Sequence, residues 1–243
     1  MKLLMISMQE SVERRATAQQ AFAAEGLTIE FLDGINGSKA TAPLFESYDE
    51  KHYLLSSGRP PSAGEQGCYA SHVEAWKQCV QLNEPIVILE DDAKPETGLA
   101  SLLPALPTLT EQFGFIRLEP LEGRPHTLVK TIEHHQLVYC RKFPHCLTGY
   151  AISPAVAKVF IEKSRALTAP ADKFVKEFWI HGQPLYCIIP AVIDKGSHAL
   201  NSNISGRDKF AKPPLLAVRR SLYKAGSAIR RAIFNLKHTP KSH

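Results

Sequence analysis

No run of apolar residues in this chain approaches the ~20 that a bilayer-spanning helix needs. The N-terminus, Met1-Lys2-Leu3-Leu4-Met5-Ile6-Ser7, is apolar over too short a stretch for a secretory signal, and no small-residue cleavage site follows it. It reads instead as the first strand of a domain. Cysteine is sparse. Cys68, Cys79, Cys140, Cys146 and Cys187 form an odd set without a Cys-x-x-Cys pair, as expected of buried free thiols in a reducing cytosol. Cys68 and His72 share a helix face but are too few to make a zinc shell. The Gly-x-Ser-x-Gly elbow, the Gly-x-x-x-x-Gly-Lys-Ser/Thr phosphate loop and the Gly-x-Gly-x-x-Gly fingerprint are all absent. Those absences argue against serine hydrolases, P-loop NTPases and typical dinucleotide enzymes. Internal repeats and low-complexity segments are missing too.

Acidic residues are lacking in one region only. Nine of the 29 Lys and Arg lie from Lys209 onward, where there is no Asp or Glu, so residues 1–208 carry 20 basic groups against 24 acidic ones. The formal net charge of +5 therefore hides a mildly acidic body, 1–208, and a strongly basic tail, 209–243. In the tail, Lys212-Pro213-Pro214 reads as a hinge. Beyond it Leu215, Val218, Leu222, Ala225, Ile229, Ile233 and Leu236 recur at helical spacing, with Arg219, Arg220, Lys224, Ser227, Arg230 and Arg231 on the other side. This is the pattern of a basic amphipathic helix that lies on an anionic membrane. The alternative is a helix docked on the domain with a solvated basic face. Nucleic acid is not an expected partner, since one basic helix with few aromatics carries no fold signature.

The body is ordinary for a globular domain of 243 residues, with 44% hydrophobic and 22% charged residues. Leu3–Ser7 reads as a strand, 11–25 as a helix capped by Ser11 and stopped by Gly26, and Thr28–Leu32 as a second strand ended by Asp33-Gly34 and Asn36-Gly37 turns. Strand, helix, strand implies a parallel βαβ unit and an α/β layer fold. Residues 38–62, rich in Ser and Pro, read as a lid-like loop, and Gly64–Leu82 as a helix with His72, Val73, Trp76, Cys79 and Val80 on one face. Further strands are expected at 85–89, 113–118, 137–140, 148–153 and 185–189. Pro154 opens a helix. Another helix is expected to contain Phe174, Val175, Phe178 and Trp179, with Asp172 as its N-cap.

The most informative residues are Glu90-Asp91-Asp92, placed directly after the buried-strand run Pro85-Ile86-Val87-Ile88-Leu89. Carboxylates stacked at the mouth of a buried strand repel one another, and a hard cation such as Mg²⁺ or Mn²⁺ relieves them. Such a metal commonly works on phosphates, and Glu90 and Asp92 have the acid-x-acid spacing used by nucleotide-sugar transferases. A solvated loop opening the turn at Pro95 is the plain alternative. Upstream, Gly64-Glu65-Gln66-Gly67 precedes Ser71-His72 and suggests a phosphate site at a helix N-terminus, although His72 alone is equally a core histidine. Downstream, Asp194, His198, Asn201 and Asn203 lie in a polar loop from which a ligand could return to a metal.

In order and spacing these blocks resemble glycosyltransferase family 25, the lipopolysaccharide and lipooligosaccharide galactosyltransferase type. The likeness rests on Glu13-Arg14-Arg15, on Phe31-Leu32-Asp33-Gly34-Ile35-Asn36-Gly37, and on Leu55-Ser56 with the stretch from Gly64 to His72 and Trp76. It continues through Ile88-Leu89-Glu90-Asp91-Asp92-Ala93 and Gly149-Tyr150-Ala151-Ile152-Ser153 to Asp172 and Pro190, covering residues 1–205. The resemblance implies a GT-A-like α/β fold with a mixed, mostly parallel sheet, a UDP-hexose donor, a divalent metal (Mn²⁺ or Mg²⁺) and a lipid-linked oligosaccharide acceptor. It implies an inverting enzyme, galactose as the sugar, and a peripheral location on the inner face of the cytoplasmic membrane. Carried onto this chain, Asp92 coordinates the metal, with Glu90 and His198 as further ligands. Glu90 or Asp91 holds the ribose or a metal-bound water, Arg14 meets uracil or phosphate, and Glu65, Ser71 and His72 shape the donor pocket. Asp172 is the candidate base. A metal-dependent phosphohydrolase or nucleotidyltransferase using the same acids, and a non-catalytic membrane adaptor, remain as other readings.

Overall fold

In the computed structural model, which describes residues 1–195 and 214–240, the chain opens with strand β1 (Lys2–Ser7), helix α1 (Val12–Ala24) and strand β2 (Glu30–Asp33). β1 and β2 pair in parallel, as the strand-helix-strand order predicts. Ser11 stands at the N-cap of α1, but its side chain makes no capping hydrogen bond. The second strand runs later than expected, so Asp33 ends the strand instead of opening the turn.

The segment 38–62 is more than a loop. It holds a two-residue strand β3 (Ser47–Tyr48) and the helix α2 (Glu50–Ser57). Asp49 caps α2 by accepting from the His52 N–H, and Gly58, at φ 82°, ends it. Helix α3 (Ala63–Leu82) starts ahead of Gly64, so both glycines of the Gly64–Gly67 block lie inside the helix. Its start is set by a capping box. Ser62 accepts from the Glu65 N–H while the Glu65 carboxylate accepts from the Ser62 N–H, an arrangement in which the Ser cap alone stabilises by about 1 kcal/mol.

The rest of the chain runs β4 (Ile86–Glu90), β5 (Ala93–Pro95), α4 (Leu99–Leu102), α5 (Leu106–Phe113), β6 (Phe115–Arg117), β7 (His126–Ile132), β8 (His135–Cys140) and β9 (Gly149–Ile152). It continues through α6 (Pro154–Lys163), β10 (Ala166–Leu167), α7 (Ala171–Lys176), α8 (Phe178–His181), β11 (Tyr186–Ile189), β12 (Ile193–Lys195) and α9 (Pro214–His238). Three expectations change. Phe113 closes a helix and does not start a strand, because Gly114 at φ 80° terminates α5 there. The strand expected at 137–140 is the second arm of a hairpin whose first arm, β7, has only weak hydrophobic alternation. The helix expected around Phe174–Trp179 is two short helices, with Asp172 in the first turn of α7 and Pro170 at its N-cap.

Eight strands form one sheet in the order β2-β1-β4-β9-β6-β11-β8-β7. The pairs β1–β2, β1–β4 and β6–β11 are parallel, while β4–β9, β6–β9, β8–β11 and β7–β8 are antiparallel. The sheet is thus mixed, and the expectation of a mostly parallel one fails. The cause is β9, which inserts between β4 and β6 against the direction of both.

Side chains alternate across this sheet into two cores. Leu4, Ile86, Ile88, Phe115, Tyr150 and Ile152 face α3, α6, α7 and α8, while Leu3, Met5, Val87, Leu89, Ile116 and Ala151 face α1, α4 and α5. Both faces are covered, which explains the uninterrupted apolar run of β4. Trp76 on α3 is fully buried at the centre of the first core, against Tyr69, Phe160 and Phe174. α9 seats on α2 and α8, with Phe234 against the Phe178 ring at 5.0 Å.

The loop after β2 touches the first turns of α3 backbone to backbone. A Cβ on Gly37 would stand 1.9 Å from the Ala63 carbonyl oxygen, and one on Gly67 would stand 2.3 Å from that of Ile35. Ser71 locks the contact, its hydroxyl accepting from the Ile35 N–H and donating to the Gly67 carbonyl, both at 2.8 Å. Gly67→Ala must push backbone aside, and overpacking of this kind destabilises by about 1–3 kcal/mol. A lowered melting temperature in thermal denaturation is expected, and an unchanged one would show that the contact is loose.

Candidate functional site

β1, β2 and β4 are parallel, so their carboxyl ends meet on one edge of the sheet. α1 leaves to one face and α3 packs on the other. Ligand crevices in open α/β sheets lie at such places. Here a cleft of about 710 Å³ opens between the ends of β1, β2 and β4, the first turns of α3 and the start of α7. This is within the size range of small-molecule sites, roughly 300–1,000 Å³.

The three acids after β4 meet three different environments. Asp91 is taken up by structure: Arg14 donates to its Oδ1 at 2.7 Å and the Ser7 hydroxyl to its Oδ2 at 3.0 Å. Glu90 ends a buried hydrogen-bond chain. The Trp76 indole can only donate, and it gives its N–H to the Tyr150 oxygen at 2.9 Å. His72 lies with Nδ1 2.9 Å from that same oxygen and Nε2 3.3 Å from Glu90 Oε1. A carboxylate at Nε2 calls for the proton there, so Tyr150 donates to Nδ1 and the imidazole passes the bond on to Glu90. Asp92 has no such partner. Its Oδ1 is buried without a hydrogen bond among the described residues. Burial, and then the neighbouring Glu90 charge, push its carboxyl up to about 6, against a relieving effect of Lys195.

Cys146, Asp172 and Lys195 line the cleft as well, and Lys195 on β12 pairs with Ala93 on β5, the residue after Asp92. Burial acts to raise the Asp172 carboxyl, but the hydrogen bond from His145, the Lys173 charge and the Cys146 backbone N–H outweigh it and hold Asp172 below the usual carboxylate range. His145 Nδ1 lies 3.2 Å from Asp172 Oδ2, and the Lys176 ammonium meets His145 Nε2 at 2.9 Å. Lys176 therefore donates to Nε2 and leaves the Nδ1 proton facing Asp172. Lys195 Nζ touches Cys146 Sγ at 2.5 Å. The loop bearing Cys146 is fixed from beneath by Arg117, which donates to the Cys146 and His145 carbonyls at 2.8 and 3.2 Å and pairs with Glu119 at 2.9 Å. Both members of that pair are buried, and Glu119 also accepts the Gly149 N–H. Burial pushes the Glu119 carboxyl up to about 7 despite Arg117.

Arg14, Glu65, Ser71, His72, Glu90, Asp91, Asp92 and Asp172, all singled out from sequence, line this one cleft. Their expected roles change in part. The Glu65 carboxylate serves the α3 capping box and the Arg59 guanidinium, at 2.5 and 2.7 Å, and the Ser71 hydroxyl serves the Gly37–Gly67 contact. Arg14 is engaged with Asp91. Asp194, exposed in β12, is not among the cleft residues, and His198, with Asn201 and Asn203, lies outside the described residues. Sequence reasoning missed Lys195, His145 and the Arg117–Glu119 pair. Lys195 and His145 have no spacing signal. Arg117 and Glu119 had one, as charges inside and just after an apolar strand.

A divalent cation fits here. The unpartnered Asp92 oxygen and the raised carboxyl are what a cation would satisfy, and Glu90 supplies a second hard oxygen nearby. Cys68, His72 and Glu90 also bring donor atoms within 4.8 Å of one another. That group suits a hard cation less well: burial, then Glu90, keep the Cys68 thiol protonated, and His72 Nε2 is spent on Glu90.

The sequence model of glycosyltransferase family 25 (LPS biosynthesis protein) matches residues 1–175. The chain is 26% identical over 215 residues to the lacto-N-neotetraose biosynthesis glycosyltransferase LgtE of Neisseria gonorrhoeae, covering 79% of this chain and 73% of that protein. To LgtB of Neisseria meningitidis serogroup B, named for the same biosynthesis, it is 29% identical over 216 residues, covering 79% and 74%. Among solved structures, A197 from STIV aligns over 79% of this chain and 83% of its own at 11% identity. Its TM-score of 0.39 is too low to assign a fold by likeness.

The raised Asp92 carboxyl has a consequence for stability. The folded protein holds a proton that the unfolded chain, with an ordinary value of 3.8, has released, so stability falls as pH rises from 3.8 to about 6. Asp92→Asn removes this penalty. In EDTA the variant is expected to melt above the wild type at neutral pH, with the difference vanishing as the pH falls to about 4. A variant that melts lower at neutral pH would mean that Asp92 is already compensated.

Proposed function

The chain belongs to glycosyltransferase family 25, and from that membership we propose that it moves a hexose, galactose foremost, from UDP to a lipid-linked oligosaccharide with inversion at the transferred carbon. The observation that carries the donor reading is the unpartnered Asp92 oxygen in a nucleotide-sized cleft at the carboxyl ends of parallel strands. Asp92 and Glu90 would hold Mn²⁺ or Mg²⁺. Bound there, the ion supplies positive charge to the donor diphosphate. Lys195, across the β5–β12 pair from Ala93 and so beside Asp92, adds a side-chain cation for the charge that develops on the leaving UDP. The His72–Tyr150–Trp76 chain fixes the Glu90 carboxylate, and Arg14 holds Asp91 away from Asp92.

In the transfer the acceptor oxygen bonds to the sugar C1 as the bond from C1 to the β-phosphate oxygen breaks, and UDP leaves with the electron pair. The acceptor hydroxyl must lose its proton, and Asp172, a further carboxylate lining the cleft, can take it. Its lowered value keeps it ionised at neutral pH, and His145 with Lys176 links it to solvent. The reaction is set at the inner face of the cytoplasmic membrane, where lipid-linked acceptors are built. That the relatives LgtE and LgtB are named for lacto-N-neotetraose biosynthesis supports an oligosaccharide acceptor. Among the described residues no observation favours the phosphohydrolase, the nucleotidyltransferase or the non-catalytic adaptor.

The test is product release from a panel of UDP-sugars with a lipooligosaccharide acceptor, with Mn²⁺ and with EDTA. Metal-dependent release of UDP from one donor is expected, and release of UMP with sugar 1-phosphate would contradict the transferase chemistry. Asp172→Asn is expected to slow transfer by roughly 10²–10⁴-fold, the usual weight of a general base, with UDP affinity retained. Full activity in that variant would remove Asp172 from the mechanism.

A further inference from the structure

α9 is mounted on the domain by the side that carries its polar groups. Arg220 donates to the Leu55 and Ser56 carbonyls at 3.2 and 3.3 Å. The Tyr223 hydroxyl donates to Glu177 at 2.6 Å and meets His52 Nε2 at 3.0 Å. Asn235 accepts from the Tyr139 hydroxyl and donates to the Arg141 carbonyl, both at 2.9 Å. Phe234 is the buried residue of the helix. A helix docked through polar side chains inverts the usual arrangement, in which the apolar stripe faces the core.

The apolar stripe faces outward instead. Leu215, Val218, Leu222, Ile229, Ile233 and Leu236 are 61, 60, 68, 62, 51 and 87% exposed, and they are six of the eleven exposed large hydrophobic residues among those described. At 100° per residue they fall nearly opposite Arg220, Tyr223 and Phe234, and at 1.5 Å per residue the stripe is about 30 Å long. A continuous apolar surface of this kind marks an interaction site. Arg219, Arg230 and Lys237 border it along one side, and no acid occurs from residue 209 onward. A second copy of this stripe would bring basic borders together, whereas anionic headgroups would neutralise them.

We propose that α9 is a preformed mount for an anionic lipid surface. Its axis lies in the membrane plane, its outward stripe enters the interfacial region, and its inner side holds the catalytic domain. No described helix is long and apolar enough to cross a membrane, which fits a helix that lies on the surface. The proposal extends the reading of a lipid-linked acceptor, but its test involves no transfer, so either can fail alone.

The experiment is flotation of the full chain with vesicles of phosphatidylcholine, alone or mixed with phosphatidylglycerol. The wild type is expected to float with the anionic vesicles and at least about tenfold less with the neutral ones. Leu222→Ser with Ile229→Ser should lose the binding at an unchanged melting temperature. Arg219→Glu with Lys237→Glu should weaken it on anionic vesicles. A wild type that does not float, or a serine variant that floats equally well, would overturn the proposal. So would a wild-type dimer in sedimentation that the serine variant converts to monomer, since a second copy would then cover the stripe.

Discussion

Three adjacent carboxylates at the end of a strand buried on both faces are the constraint around which this molecule is arranged. β4 must be apolar because helices cover both sides of the sheet, and its last residue and the two that follow are all acids. Placed together beside a low-dielectric core they destabilise the fold unless each is compensated. The surroundings compensate two. A guanidinium and a hydroxyl take Asp91, and a chain of three aromatic side chains orients Glu90. The third, Asp92, keeps a buried oxygen without a partner.

The rest of the site follows from that asymmetry. Arg14 on α1 and His72 on α3 reach the same strand end from opposite faces of the sheet, which ties the two helices to the cleft. The close approach of Gly37 to α3 forms a further part of the wall, with the Ser71 hydroxyl as its fastening. A buried Arg117–Glu119 pair holds the loop that carries Cys146. A buried pair of this kind contributes little net stability against an apolar replacement, and positioning is its better-attested use. Two of the three acids are held by hydrogen bonds, and the buried oxygen without a partner is that of Asp92.

Much of this was legible in the sequence, for local reasons. The apolar runs of β1 and β4 are short-range signals, and the acids of the cleft could be named from their place after a strand. Tertiary choices were not legible. Nothing local says that β9 inserts between β4 and β6, so the balance of parallel and antiparallel pairs was misjudged. Glu65 and Ser71 were read as ligand contacts because their structural partners, Arg59 and Ile35, are identifiable only when the chain is folded. The helix at 50–57 hid in a Ser- and Pro-rich segment because its capping residues, Asp49 and Gly58, also occur in loops. Lys195 reaches the cleft from a three-residue strand with no pattern of its own. The C-terminal apolar spacing was visible as a pattern with a face for a membrane, but not that the helix would also dock on the domain through its polar side.

We propose Asp92 as the carboxylate that would hold a cation serving the donor diphosphate. The most direct measurement is calorimetric titration of UDP into the wild type and Asp92→Asn, each with Mn²⁺ and with EDTA. Mn²⁺ is expected to tighten UDP binding to the wild type by at least about tenfold, since the ion would supply positive charge to the diphosphate, and to have no such effect on the variant. UDP binding that is equally tight in EDTA, or unaltered in the variant, would contradict the proposal.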